Sequence, residues 1–174
     1  MGEMINNLSD KNVGIGMEAV NLFIEIHKKM FPDKECYPTE VGGEDDSIRH
    51  IDVVANGETH DVKDNMDYDN HGRECIRLED KNNWGGKGSL HGDEKYLTFK
   101  FYKLKLFYSF KREDLENYLE DNWIRVNGKK LHVVKPHNYS YVGYRRYNEG
   151  KKDMTVLIPF EDVEHLIYNT YYIE

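Results

Sequence analysis

Cysteine is scarce in this chain. Cys36 and Cys75 are its only two in 174 residues, and no Cys-x-x-Cys occurs. That spacing excludes a cysteine-built zinc site and a disulfide-stapled scaffold. Two such thiols read as free groups in a reducing compartment. Long apolar runs are missing too, and nothing approaches the roughly 20 residues that span a bilayer. The first residues, MGEMINNLSDKN, lack the basic-then-apolar pattern of a signal peptide. Together these absences predict a cytoplasmic protein. There are eight histidines but no His-Glu-x-x-His, and 14 glycines but no Gly-x-Ser-x-Gly or phosphate-cradling spacing. Zinc peptidase, serine hydrolase and P-loop chemistry are therefore set aside.

What is present is charge and aromatic surface. Charged residues make up 32% and aromatics 13%, with 13 tyrosines. The mean hydropathy is −0.81. Such a chain can still form a core, because Tyr and Phe bury large faces. The net charge of −8 argues against a passive nucleic-acid coat. The charge is uneven, however. Acids concentrate before Glu94, and Lys/Arg clusters follow at 100–112, 129–135 and 145–152, interleaved with Tyr and Phe.

Residues 1–12 read as loose. Residues 15–31 have helical periodicity, with an apolar stripe of Val20, Phe23, Ile26 and Met30, and Pro32 ends the helix. Strand patterns cover 48–55, 58–63, 73–79, 96–102, 104–110 and 154–160. Residues 112–122 and 161–168 read as short helices, and 123–134 as a hairpin around Asn127-Gly128. The segment NNWGGKGSLHG reads as a glycine-rich loop. No repeat or linker interrupts the chain, so 1–174 reads as one mixed α/β domain, a helix followed by a sheet with flanking helices.

The chemistry concentrates in HIDVVANGETHDVKDN, residues 50–65. Asn56-Gly57 between two strand patterns favours a two-residue turn with both central residues at positive φ. That turn sets a register in which Val53 faces His60 and Asp52 faces Asp61. Alternation places Lys63 on the Asp61 face and His60 on the other. His50 also points away from the acids and reads as structural. His71 and His91 lie in loops nearby. Two carboxylates directly opposed across a strand pair repel, and a divalent cation relieves the conflict. Mg²⁺ or Mn²⁺ suits one or two carboxylates plus a phosphate oxygen.

The arrangement resembles the PD-(D/E)XK nuclease superfamily, the restriction-endonuclease-like fold, and in layout its small phage-encoded members. The likeness covers roughly residues 14–122. It rests on a helix, then an antiparallel pair carrying Asp52 and Asp61-Val62-Lys63. The resemblance implies metal-dependent hydrolysis of DNA phosphodiesters. Asp52 and Asp61 would hold the cation with Glu79, Lys63 would support the water or phosphate, and Glu18 of the first helix would complete the site. Trp84-Gly85-Gly86 would match a loop after the site strands. The Lys/Arg-rich later part would hold the DNA backbone, in a monomer or a homodimer. The sequence departs from the pattern at Ile51, where the motif has proline. Glu79-Asp80-Lys81 supplies a second Glu-x-Lys. An alternative is an inactive protein of the same fold that binds a host defence or replication protein.

Overall fold

The computed structural model describes residues 2–40, 43–44, 49–64, 67–68, 72–81, 88–101, 103–126, 130–133, 142–145 and 154–173. The first helix, α1 (Gly2–Met30), is longer than the apolar periodicity predicts, and it takes in the residues expected to be loose. Its buried stripe is Ala19, Phe23, Ile26 and His27, at the 3–4 residue spacing of one helix face. Met30, expected on that stripe, is 39% exposed, and Glu18 and Glu25 lie on the outer surface. Phe31 N closes the last turn on the His27 carbonyl at 2.8 Å, and Pro32 follows without an amide proton to continue.

Strands β1 (Cys36–Pro38), β2 (Val53–Ala55), β3 (Glu58–Lys63), β6 (Tyr96–Phe101), β7 (Leu106–Lys111) and β12 (Ile167–Tyr172) form a six-stranded mixed sheet in the order β1-β2-β3-β6-β7-β12. β3 and β6 run parallel, and every other neighbouring pair is antiparallel. A second, four-stranded sheet holds β4 (Asp67–Tyr68), β5 (Glu74–Lys81), β10 (Val142–Arg145) and β11 (Met154–Pro159), in the order β10-β11-β5-β4. β8 (Trp123–Val126) and β9 (Lys130–Val133) pair separately, which bears out the expected second hairpin. Helix α2 (Arg112–Asn122) follows β7 directly, with Leu115 and Leu119 inward.

Two apolar cores sandwich the six-stranded sheet. On one face Ala19, Phe23 and Ile26 of α1 pack with Val53, Ala55, Val62, Phe107 and Tyr171. On the other, Leu97, Phe99, Phe101 and Phe110 meet Ile76, Leu78, Val156 and Ile158 of the second sheet, with Leu115 of α2. Phe23 stands edge-on to both Phe107 and Tyr171, with ring centroids at 5.6 and 4.9 Å. Fully burying each such ring contributes about 1.5–3 kcal/mol, which offsets the chain's low mean hydropathy.

The end of the chain differs from the sequence expectation. Acids at 161 and 162 suggest a helix through residue 168. Helix α3 (Phe160–Val163) and one 3₁₀ turn (Glu164–Leu166) end it early, and residues 167–172 become the edge strand β12. The alternation in IYNTYY explains the change, since Tyr171 turns into the α1 core while Tyr168 and Tyr172 stay exposed. β7 also starts later than expected. Residues 103–105 form a turn in which Lys105 takes a positive φ of 50°. Among the described residues no helix is long and apolar enough to cross a membrane.

Candidate active site

The Asn-Gly turn forms as expected. Asn56 and Gly57 have φ of 52° and 77°, and Val53, Val54 and Ala55 face His60, Thr59 and Glu58. The register then breaks one residue earlier than the sequence implies. The ladder does not continue to an Asp52–Asp61 pair. Asp52 N donates instead to the His60 carbonyl at 2.9 Å, and the Asp52 carboxylate accepts from Val62 N at 2.7 Å. The side chain thus takes an amide that a regular ladder would give to a carbonyl. Thr39, just past β1, holds the other side of this segment by donating its amide to the Asp52 carbonyl at 2.9 Å.

Alternation along β3 sorts the residues between the two faces. Val62 packs in the α1 core. Asp61 and Lys63 stand in register with Leu97 and Phe99 of β6, whose side chains belong to the opposite core. The two charges therefore enter the layer between the sheets. Asp61 is buried, and Lys63 Nζ lies 2.7 Å from Asp61 Oδ2. The Lys63 side chain keeps 36% of its surface exposed against 3% for Asp61, so the lysine carries the pair outward to solvent. Burial disfavours the ammonium, but Asp61, Asp52 and Glu79 outweigh it and hold Lys63 charged well above the usual lysine range.

Asp52 has the opposite balance. Burial and the adjacent Asp61 push its carboxyl up to about 8, against the pull of Lys63 and the Val62 amide. Two carboxyl groups whose charges act on each other this strongly call for a proton or a cation between them. This is the conflict expected of paired acids, reached through a broken ladder instead of a regular one.

Glu94 joins them, and the sequence reading missed it. It lies just ahead of β6, is 1% exposed, and neither carboxylate oxygen has a hydrogen-bond partner among the described residues. Burial and Asp61 raise its carboxyl to about 9, opposed by its own backbone amide and then by Lys63 and Arg112. Its only sequence signal is the preceding Gly92. A Cβ there would sit 1.9 Å from Glu94 Oε2, so this glycine leaves the space that the carboxylate fills.

Glu79 arrives from β5 of the second sheet, near enough for its charge to act on Lys63. Gly88 packs on its backbone, where a Cβ would stand 2.1 Å from the Glu79 carbonyl oxygen. Gly88 has extended backbone, so the glycine is required for space and not for conformation. Gly88→Ala is expected to cost about 1–3 kcal/mol by overpacking against that carbonyl. Urea denaturation measures it, and an unchanged midpoint would contradict this packing.

Other expectations are not met. Glu18 is exposed on α1, and α1 covers the face of the sheet opposite to Asp61, so the structure does not bring Glu18 to the acids. His91 Nδ1 lies 3.0 Å from Glu116 Oε1 and is tied to α2. His60, by contrast, lies where expected, away from the acids: it is buried on the α1 side, hydrogen-bonded to Thr98 Oγ1 at 2.9 Å and stacked on Tyr96. The first basic cluster is largely committed: Lys100 pairs with Asp64, Lys103 with Glu74, and Arg112 with Glu116. His71, Trp84 to Gly86, Lys129, Lys135, Arg146, Lys151 and Lys152 lie outside the described residues. Cys36 and Cys75 are buried and not joined in a disulfide, and Cys75 Sγ donates to the Arg73 carbonyl.

Among the described residues, no three His, Cys, Asp or Glu side chains converge into a ready metal cage. The arrangement offers buried carboxylate oxygens beside a lysine instead. Comparison with protein-family models, with curated proteins and with solved structures found no match.

Proposed function

We propose that the chain is a metal-dependent nuclease of the restriction-endonuclease-like fold, hydrolysing DNA phosphodiester bonds. The observation that carries this reading is the common placement of Asp61 and Lys63 on one strand face beside Asp52. A helix followed by an antiparallel pair that bears Asp and then Asp-x-Lys supports it.

The residues suit a hard divalent cation. Asp52 and Asp61 are oxygen donors whose proximity calls for a positive partner, and Mg²⁺ uses one or two carboxylates and retains several waters. Mg²⁺ or Mn²⁺ bound there would polarise the phosphate and acidify a water. Asp61 would hold the cation from the rigid centre of the sheet. Asp52, fixed by the Val62 amide, would present its remaining oxygen. Lys63, charged and partly exposed, would meet the phosphate as negative charge builds on it. Glu79 would tune Lys63 from the neighbouring sheet.

One observation favours a second reading. The ion pairs of Lys100, Lys103 and Arg112 draw much of the first basic cluster away from a DNA backbone. This would suit a protein of the same fold that binds another protein and does not cut.

Cleavage of supercoiled plasmid and of single-stranded DNA decides between them. Nicked or shortened products are expected with Mg²⁺ or Mn²⁺ and none with EDTA. Intact DNA on both substrates, from protein shown to be folded, would overturn the nuclease reading and favour the binding one.

A further inference from the structure

We propose that Glu94 is a further carboxylate of this cation site, partnering Asp61 across the parallel β3–β6 pair. The inference deepens the metal-site reading above and rests on it.

Burying a carboxylate with no hydrogen-bond donor is costly, and folded chains avoid it unless something offsets the cost. Glu94 is 1% exposed and both of its oxygens lack partners among the described residues. The charged groups that face it are Asp61, Lys63 and Arg112. Arg112 does not take the carboxylate, because its guanidinium is spent on carbonyls. Nε donates to the Glu94 carbonyl and Nη1 to the Leu90 carbonyl, both at 3.2 Å, while Nη1 also meets Glu116 at 2.7 Å. Lys63 is engaged with Asp61.

The surrounding backbone holds Glu94 in place. Lys95 N donates to the Thr59 carbonyl at 3.1 Å and to Thr59 Oγ1 at 2.9 Å, which ties the next residue to β3. Asp93 N donates to the Arg49 carbonyl at 2.9 Å, which ties the preceding residue to the segment leading into Asp52. Glu94 is thus held beside β3, the strand that brings Asp61, on the side away from β2. Gly92 completes the arrangement, since any larger residue there would displace the Glu94 carboxylate.

Oxygen availability points the same way. One Asp52 oxygen is taken by the Val62 amide and one Asp61 oxygen by Lys63. Glu94 has both oxygens uncommitted. A water-rich Mg²⁺ or Mn²⁺ site needs no third carboxylate in the cage, so Asp61 and Glu94 suffice as protein ligands. Asp52, with one oxygen held by the Val62 amide, then presents its remaining oxygen to the waters of that cation.

The test is calorimetric titration of Mn²⁺ into the EDTA-stripped full chain. Glu94→Gln is expected to weaken Mn²⁺ binding about tenfold or more, since removing even an outer partner of a metal costs that much. Glu94→Gln binding Mn²⁺ within about twofold of the unaltered chain would overturn the assignment. The unaltered chain gives a second measurement that does not depend on a variant folding. Fe²⁺ in place of Mn²⁺, with ascorbate and peroxide, cuts the backbone beside its ligands. Cuts at 92–95 as well as near 61 are expected, and cuts confined to the 52 and 61 segments would overturn the role of Glu94. An unaltered chain that binds no Mn²⁺ and cuts no DNA overturns the nuclease reading along with this proposal. Tight Mn²⁺ binding that is indifferent to Glu94 overturns this proposal alone.

Discussion

Lys63→Met is expected to lower metal-dependent DNA cleavage about a hundredfold or more, the scale seen when one preorganised charge-stabilising group is removed from an active site. Methionine keeps most of the aliphatic stem, so the packing of that stem is retained. The change removes the charge that pairs with Asp61 at 2.7 Å. Two consequences follow, and they have opposite signs. Cleavage falls because nothing neutralises the phosphate. Mn²⁺ affinity is kept or rises, because Asp61 Oδ2 is released from its ammonium partner. The two readouts separate chemistry from folding, since an unfolded variant would lose both. Single-turnover cleavage and Mn²⁺ calorimetry on the same preparation measure them. Full cleavage by a folded Lys63→Met protein would remove Lys63 from the mechanism.

Stability is expected to fall by several kcal/mol as pH rises from about 6.5 to about 9 in the absence of divalent metal. Asp52 and Glu94 set this slope. Their folded values, about 8 and about 9, lie far above the 3.8 and 4.5 of free carboxyls. Between those limits the folded chain holds protons that the unfolded chain has released. Their stabilising contribution is therefore fully present below about 4 and lost as pH passes the folded values. His60 acts in the other window. Burial lowers it from 6.5 to about 3, so the unfolded chain gains a proton below 6.5 and stability drops again towards acid. Burial lowers His27 as well, in the same direction. Above pH 6.5 the acids act without the histidines.

Asp52→Asn tests this assignment closely. Asparagine keeps an oxygen for the Val62 amide and cannot ionise. Its urea midpoint is expected to match that of the unaltered chain near pH 4 and to exceed it by a growing margin from there to about pH 8. A slope identical to the unaltered chain's would remove Asp52 from the account. Added Mn²⁺ is expected to stabilise the unaltered chain most at high pH, because the cation displaces the protons that these carboxyls retain.

Local signals account for much of the fold. The 3.6-residue period places Ala19, Phe23 and Ile26 on one face of α1. The Asn56-Gly57 turn and the alternation after it put Asp61 and Lys63 on one face of β3 and Val62 on the other. These are properties of neighbouring residues, and neighbouring residues express them. The residues that carry the nuclease resemblance, Asp52 and Asp61-Val62-Lys63, lie in the same short segment.

Tertiary structure decided the rest. Whether Glu18 could reach the acids depended on which face of the sheet α1 covers, and helical periodicity says nothing of that. The strand register looked regular through Asp52, but Thr39 and the Val62 amide compete for that segment and break it. The last helix gave way to β12 because β7 offered an open edge and the α1 core had room for Tyr171. Glu94 lies far past Lys63 in the chain, and the Asp61 charge acts on it only because β6, which Glu94 precedes, pairs in parallel with β3. Parallel pairing needs a long crossover, so its contacts leave no mark in the residues on either side. The sequence by itself determined which residues carry charge and which strand presents Asp61 and Lys63. Only the packing of one sheet between a helix and a second sheet decided which acids share that space, because desolvation and proximity arise between segments far apart in the chain.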